Sequence, residues 1–137
     1  MTLLIMLLVM TGLQGTPVQN GDMVEGVDVS HYQGEIDWSK VEADGISFAF
    51  VKATQGTREV DRRFKENWAA LKKSGMSRGA YHFLLPENDG TAQAKHFLAT
   101  VNFQKGDLLP VVDVERKGDE LPGVLKSFLA EVKRQLG

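Results

Sequence analysis

Two kinds of hydrophobic pattern alternate along this chain: short, near-continuous apolar runs, and longer stretches whose apolar residues recur every three or four positions. The first run, 24–30, is rich in valine, ends in polar residues and predicts a strand. Asp37 precedes a short helical stretch, 38–43, where its carboxylate can cap the free backbone N–H groups, and Gly45 stops that helix. A second strand is predicted at 46–54, closed by Gly56. The stretch 58–74 reads as the longest helix, with Phe64, Trp68 and Leu71 on one face and Gly75 past its end. A third strand, 78–85, stops at Pro86, and a helix at 91–101 turns Ala94, Phe97, Leu98 and Val101 inward. The fourth strand is expected at 109–115, and a last helix at 121–136 carries Val124, Leu125, Phe128, Leu129 and Val132 as its apolar stripe.

Four strand–helix units with short connections predict a parallel α/β architecture. The strand centres are apolar on both faces, as strands covered by helices should be. A closed barrel of the TIM-like type has eight such units in about 250 residues. With 137 residues, either the sheet stays open or the units that close it are absent, and the expectation is the second: a parallel β/α barrel of that type truncated to about its first four units, with the fourth strand left as an unpaired edge.

Ahead of these units, Leu3 to Met10 is an unbroken apolar run followed by small and polar residues. It is far shorter than the roughly 20 residues a membrane span requires, and it fits the apolar region of a secretory signal. The division expected is therefore 1–20 as a signal-like segment and 21–137 as the folded domain, secreted or periplasmic. The first Lys or Arg is Lys40, so the usual basic start of a signal is missing, and a buried strand or a misplaced start codon is the alternative. A net charge of −2 leaves no basic excess for a phosphate backbone, which argues against nucleic-acid binding. With no cysteine, disulfides, thiolate-held metals and thiol nucleophiles are excluded.

Ligand and active sites of parallel α/β folds lie at the C-terminal ends of the strands. There the chain places Asp28 after strand one, Lys52 and Gln55 after strand two, Tyr81, His82 and Phe83 after strand three, and Asp113 and Glu115 at strand four. Residues two apart in a strand share a face, roughly 6.6–7 Å apart, so Asp113 and Glu115 should point together into the interior while Val112 and Val114 meet the helices. Neighbouring acids in a desolvated cleft raise at least one pKa, the condition for a proton donor beside a carboxylate. Any one such acid is more often a cap or an ion-pair partner; three at one mouth favour chemistry. Lys52 fits an ion pair and a substrate contact equally well, and His31 fits the rim or a turn. His82 alternates away from Tyr81 and Phe83 and reads as a hydrogen-bonded packing residue. His96 has no neighbour at metal-ligand spacing.

Five motifs in order, Val27-Asp28-Val29-Ser30-His31-Tyr32-Gln33-Gly34, Ile36-Asp37-Trp38, Phe50-Val51-Lys52-Ala53-Thr54, Arg78-Gly79-Ala80-Tyr81-His82-Phe83 and Asp113-Val114-Glu115, resemble those of the family 25 glycoside hydrolases, lysozymes of the N-acetylmuramidase type. The resemblance covers residues 24–115 well and the last helix loosely. It implies an irregular β/α barrel that cleaves the β-1,4 bond between N-acetylmuramic acid and N-acetylglucosamine, with peptidoglycan glycan strands as partner and no cofactor. By motif, Glu115 takes the place of the general acid, Asp113 of the acid beside it and Asp28 of the first-strand aspartate. Lys52, Tyr81 and Phe83 match substrate-cleft positions. The family often carries Glu where Gln55 stands, and its domain continues beyond the helix that ends at Gly137. A glycan-binding module without catalysis, or a non-functional fragment, is the competing expectation.

Overall fold

A computed structural model of the chain describes Met6–Leu7 and residues 24–137. The elements in order are β1 (Met6–Leu7), β2 (Glu25–Val29), a single 3-10 turn (His31–Gln33), α1 (Trp38–Ala43), β3 (Ile46–Gln55), β4 (Glu59–Val60), α2 (Phe64–Ser74), β5 (Ser77–Phe83), α3 (Gly90–Val101), β6 (Val111–Asp113) and α4 (Leu121–Leu136). β2, β3, β5 and β6 pair in parallel, in that spatial order. These are the four strands the apolar runs predict, joined by helices into a mixed α/β fold whose parallel sheet is a half-barrel. Apart from Met6–Leu7, the expected signal segment 1–20 lies outside the described residues. No helix among the described residues is long and apolar enough to cross a membrane.

Three expectations need correction. The helix expected at 58–74 begins only at Phe64, because the chain first folds back: Glu59–Val60 pairs antiparallel with Thr54–Gln55, and the Asp61 N–H donates to the Ala53 carbonyl at 2.8 Å. α4, with 16 residues, is therefore longer than α2, with 11. The fourth strand is three residues, not seven. Its parallel partner β5 ends at Phe83, which faces Asp113 in register, and the Leu84 N–H takes the Asp113 carbonyl at 3.0 Å, so the chain leaves the ladder before Glu115. Nor is β6 an edge: Met6 and Leu7 run antiparallel to it, opposite Asp113 and Val112. That pairing satisfies backbone groups an open edge would leave exposed.

The core lies between sheet and helices. Ala49, Val51 and Ala53 of β3, Ala80 of β5 and Val112 of β6 meet Leu71, Phe97, Leu98 and Phe128. Phe97 and Phe128 are almost fully buried, each contributing on the order of 2–3 kcal/mol. Among them sits His82, as the alternation predicts: its Nδ1 is 2.7 Å from Thr54 Oγ1 and its Nε2 is 3.0 Å from Gln93 Oε1. Burial depresses its pKa to about 4, so the imidazole is neutral.

On the opposite, concave face the rings of Phe48 and Phe50 meet edge to face, 6.1 Å apart, each close over a glycine of a neighbouring strand. A Cβ on Gly26 would strike the Phe48 ring, and one on Gly79 the Phe50 ring. These glycines exist for close approach. Gly79→Ala should cost about 1–3 kcal/mol in denaturant-induced unfolding, as overpacking does, and Phe50→Leu in the same chain should recover part of it; a Gly79→Ala variant as stable as the parent would contradict this packing.

Candidate active site

The mouth of the half-barrel is built by register. Asp28 on β2 stands opposite Phe50, Lys52 on β3 opposite Tyr81, and Phe83 on β5 opposite Asp113. A β-bulge adjusts this row: β3 advances from Lys52 to Thr54 while β5 advances only from Tyr81 to His82. Ala53 is the extra residue. It and Thr54 therefore both turn to the helix side, and Gln55 returns to the concave face within reach of Lys52. The Lys52 Nζ donates to Gln55 Oε1 at 2.7 Å and lies 4.8 Å from the centre of the Phe83 ring. Of the two roles open to Lys52, the ion pair is not the one observed among the described residues; its partners are an amide and a ring.

Asp113 is buried, and its Oδ1 has no hydrogen-bond partner among the described residues. Desolvation is the main cause of a pKa raised to about 6, reinforced by the nearby Glu115. Lys52 pulls the value down and Asp28 pushes it up, so all four groups act on one another. Glu115, although off the strand, reaches its neighbour from an exposed position. Arg116 holds Glu87 across the adjoining loops at 2.8 Å.

Tyr81 sits in the middle of the acids. Burial, followed by the negative charges of Asp28, Asp113, Asp61 and Glu115, pushes its phenol far above the ordinary range, so it remains a neutral O–H donor. The six residues singled out in the sequence, Asp28, Lys52, Tyr81, Phe83, Asp113 and Glu115, thus share one mouth. Asp28 and Glu115 are exposed, Asp113 forms the buried floor, and Tyr81, Lys52 and Phe83 are half-buried between.

Sequence reasoning missed Asp61. Its carboxylate, 1% exposed, accepts from the His31 Nδ1 at 2.6 Å, the His31 backbone N–H at 3.1 Å and the Arg63 backbone N–H at 3.0 Å. Placing a helix at 58–74 hid it inside the first turn. The usable signal was an aspartate three residues before the apolar Phe64, a position where a carboxylate closes a turn ahead of a helix. Away from this mouth, an apolar groove of about 290 Å³ runs between Pro110, Phe128, Val132 and Leu136 on the helix side.

The sequence pattern of Glycosyl hydrolases family 25 matches residues 27–137. The chain belongs to this family. Known proteins repeat both its sequence and its shape. An uncharacterized protein of Escherichia coli K12, YegX, is 40% identical over 123 residues, which are 83% of this chain and 45% of that one. Lysozyme M1 of Streptomyces globisporus is 52% identical over 75 residues, 54% of this chain and 26% of the lysozyme. The structure of a family 25 glycosyl hydrolase from Bacillus anthracis superposes with a TM-score of 0.73 at 34% identity, covering 89% of this chain and 60% of the other. The chain spans about half the length of the curated relatives it matches first.

The buried Asp113 carboxylate weakens the fold wherever it is ionised. Its folded pKa, about 6, lies above the ordinary 3.8, so this group costs nothing below pH 3.8. The cost grows as pH rises between those values and is full above about 6. Asp113→Asn should therefore stabilise the chain by on the order of 2–3 kcal/mol near pH 8 and by nothing near pH 3.5, measured by urea unfolding across pH. A gain independent of pH would contradict the burial cost.

Proposed function

We propose that this chain carries the acid-bearing part of a muramidase, a lysozyme that hydrolyses the β-1,4 bond between N-acetylmuramic acid and N-acetylglucosamine in peptidoglycan. The half-barrel is read as one arc of a TIM-like β/α barrel. The observation that carries the reading is the buried Asp113 carboxyl, its pKa raised to about 6, beside exposed Glu115 at the mouth of the parallel strands.

In this reading Glu115 passes a proton drawn from Asp113 to the glycosidic oxygen as the bond to the sugar's anomeric carbon breaks. Asp113, left as the carboxylate, holds the N–H of the substrate's own acetamido group, whose oxygen attacks the anomeric carbon. Water then opens the resulting ring, and Glu115 takes back a proton. Substrate assistance of this kind suits two acids on one stretch of chain, since neither stands across the sugar from the other. Asp28, on the opposite strand of the arc, adds negative charge beside the oxocarbenium-like centre. Tyr81 supplies an O–H donor, and Lys52 laid over Phe83 offers a polar group and an apolar face to a sugar ring. No step requires a cofactor. Because peptidoglycan lies outside the cytoplasmic membrane, the reading includes export with residues 1–20 as the signal, whose cleavage would remove Met6–Leu7 and leave β6 as an edge.

Turbidity of a cell-wall suspension treated with the full chain tests it. The parent should clear the suspension, with the rate falling as pH rises through about 6, where the Asp113 proton is lost. Glu115→Gln should lower the rate by about 10²–10⁴-fold without unfolding the chain. Capture on the wall with no clearing by the parent would instead assign a binding module, a reading favoured by the water exposure of Asp28 and Glu115.

A further inference from the structure

The contact between Lys52 and Gln55 could not form on a regular strand, where residues three apart point to opposite faces. Gln55 reaches Lys52 because the bulge at Ala53 adds one residue and sends both Ala53 and Thr54 to the helix side. Ala53 packs in the core there, and Thr54 Oγ1 lies 2.7 Å from His82 Nδ1. The bulge is itself braced. Its Ala53 carbonyl accepts the Asp61 N–H at 2.8 Å, and β4 pairs with Thr54 and Gln55 just beyond it. A bulge re-aims a side chain, and the one re-aimed into the mouth is Gln55.

There its Oε1 accepts from Lys52 Nζ at 2.7 Å, while the ammonium rests 4.8 Å from the centre of the Phe83 ring. Phe83 pairs in register with Asp113, so the two anchors together hold a long, otherwise mobile side chain with its charge towards the buried carboxyl. Charged and titratable groups surround it from every neighbouring element. Asp28 stands on β2, Tyr81 on β5, and Asp113 and Glu115 at and after β6. On the other side, Lys52 and Gln55 line a cavity with Glu59 of β4, Asp61 and Arg62 after it, and His31 and Tyr32. None of the ion pairs among the described residues includes Lys52. A neutral amide holds this cation where a carboxylate would both hold it and cancel it.

We propose that Gln55 is a positioning residue: its amide oxygen fixes the Lys52 ammonium over Phe83, beside the acids, and leaves the positive charge uncancelled. Gln55 does no chemistry and acts through Lys52. The held charge favours the ionised form of Asp113, and so limits how far burial and Glu115 raise its affinity for a proton. A carboxylate at position 55 would keep the hold and lift that limit. The inference rests on the acid-bearing mouth of the muramidase reading, and its test requires no hydrolysis.

Two NMR readouts on the full chain test it. One is the nitrogen signal of the Lys52 ammonium, visible where a hydrogen bond slows exchange of its protons with water. The other is the pH midpoint at which the Asp113 carboxyl titrates. Gln55→Ala should abolish the ammonium signal and raise the midpoint by about 0.5, the scale of a screened charge moved by a few ångströms. Gln55→Glu should retain the signal and raise the midpoint at least as far. Lys52→Met should raise the midpoint too, and adding Gln55→Ala to it should change nothing more. Circular dichroism confirms that each variant is folded; should Gln55→Ala unfold, Gln55→Glu alone decides. A signal that persists in folded Gln55→Ala, a midpoint unmoved by Gln55→Glu, or an equal effect of Gln55→Ala with and without Lys52 overturns the positioning role. A parent that clears no cell wall would sink the muramidase reading and leave these readouts standing; clearing with an unmoved midpoint would do the reverse.

Discussion

A carboxyl group taken out of water resists ionisation, and the cost is met only when charges or donors surround it. Asp113 is buried with one oxygen lacking a partner, and its nearest charged company is another acid. Every other feature of the mouth is arranged around that unfavourable placement. Lys52 offsets part of it from β3, Tyr81 remains protonated beside it, and the Leu84 N–H ties the Asp113 carbonyl so that the backbone cannot carry the side chain back to solvent. The fold spends stability here, and what it keeps is a proton near neutral pH.

The scaffold that holds this group is ordinary parallel α/β packing with two local departures. One is the bulge at Ala53, which rotates Gln55 onto the concave face and at the same time presents the Ala53 carbonyl to Asp61. The other is the pair of glycines beneath Phe48 and Phe50, which lets aromatic rings lie on the strands themselves. Both departures act on the concave side only. The helix-facing side is regular, with alanines and valines against Phe97 and Phe128 and a neutral His82 satisfied by Thr54 and Gln93.

Much of this was legible in the sequence, for a physical reason: period-two alternation fixes which side chains share a face once a strand is located. Asp28, Lys52, Tyr81, Phe83 and Asp113 follow from alternation and strand ends, and His82 follows from falling between two of them. Glu115 reached the site for a different reason than the one expected, since β6 ends at Asp113 and the glutamate approaches from the loop. What stayed hidden depends on contacts between distant segments. No periodicity announces that Glu59–Val60 folds back on β3, that Ala53 is bulged, that Asp61 lies 30 residues from the histidine it orients, or that Met6–Leu7 pairs with β6.

The central claim is that Asp113 keeps its proton up to about pH 6 because it is desolvated beside Glu115. Carbon-detected NMR of the side-chain carboxyl groups, followed from pH 3 to 8 with Glu115→Gln as comparison, measures it directly. The account requires the Asp113 carboxyl to titrate at about 6, with a lower midpoint once Glu115 is neutral. A midpoint near 4, unchanged by Glu115→Gln, would contradict it.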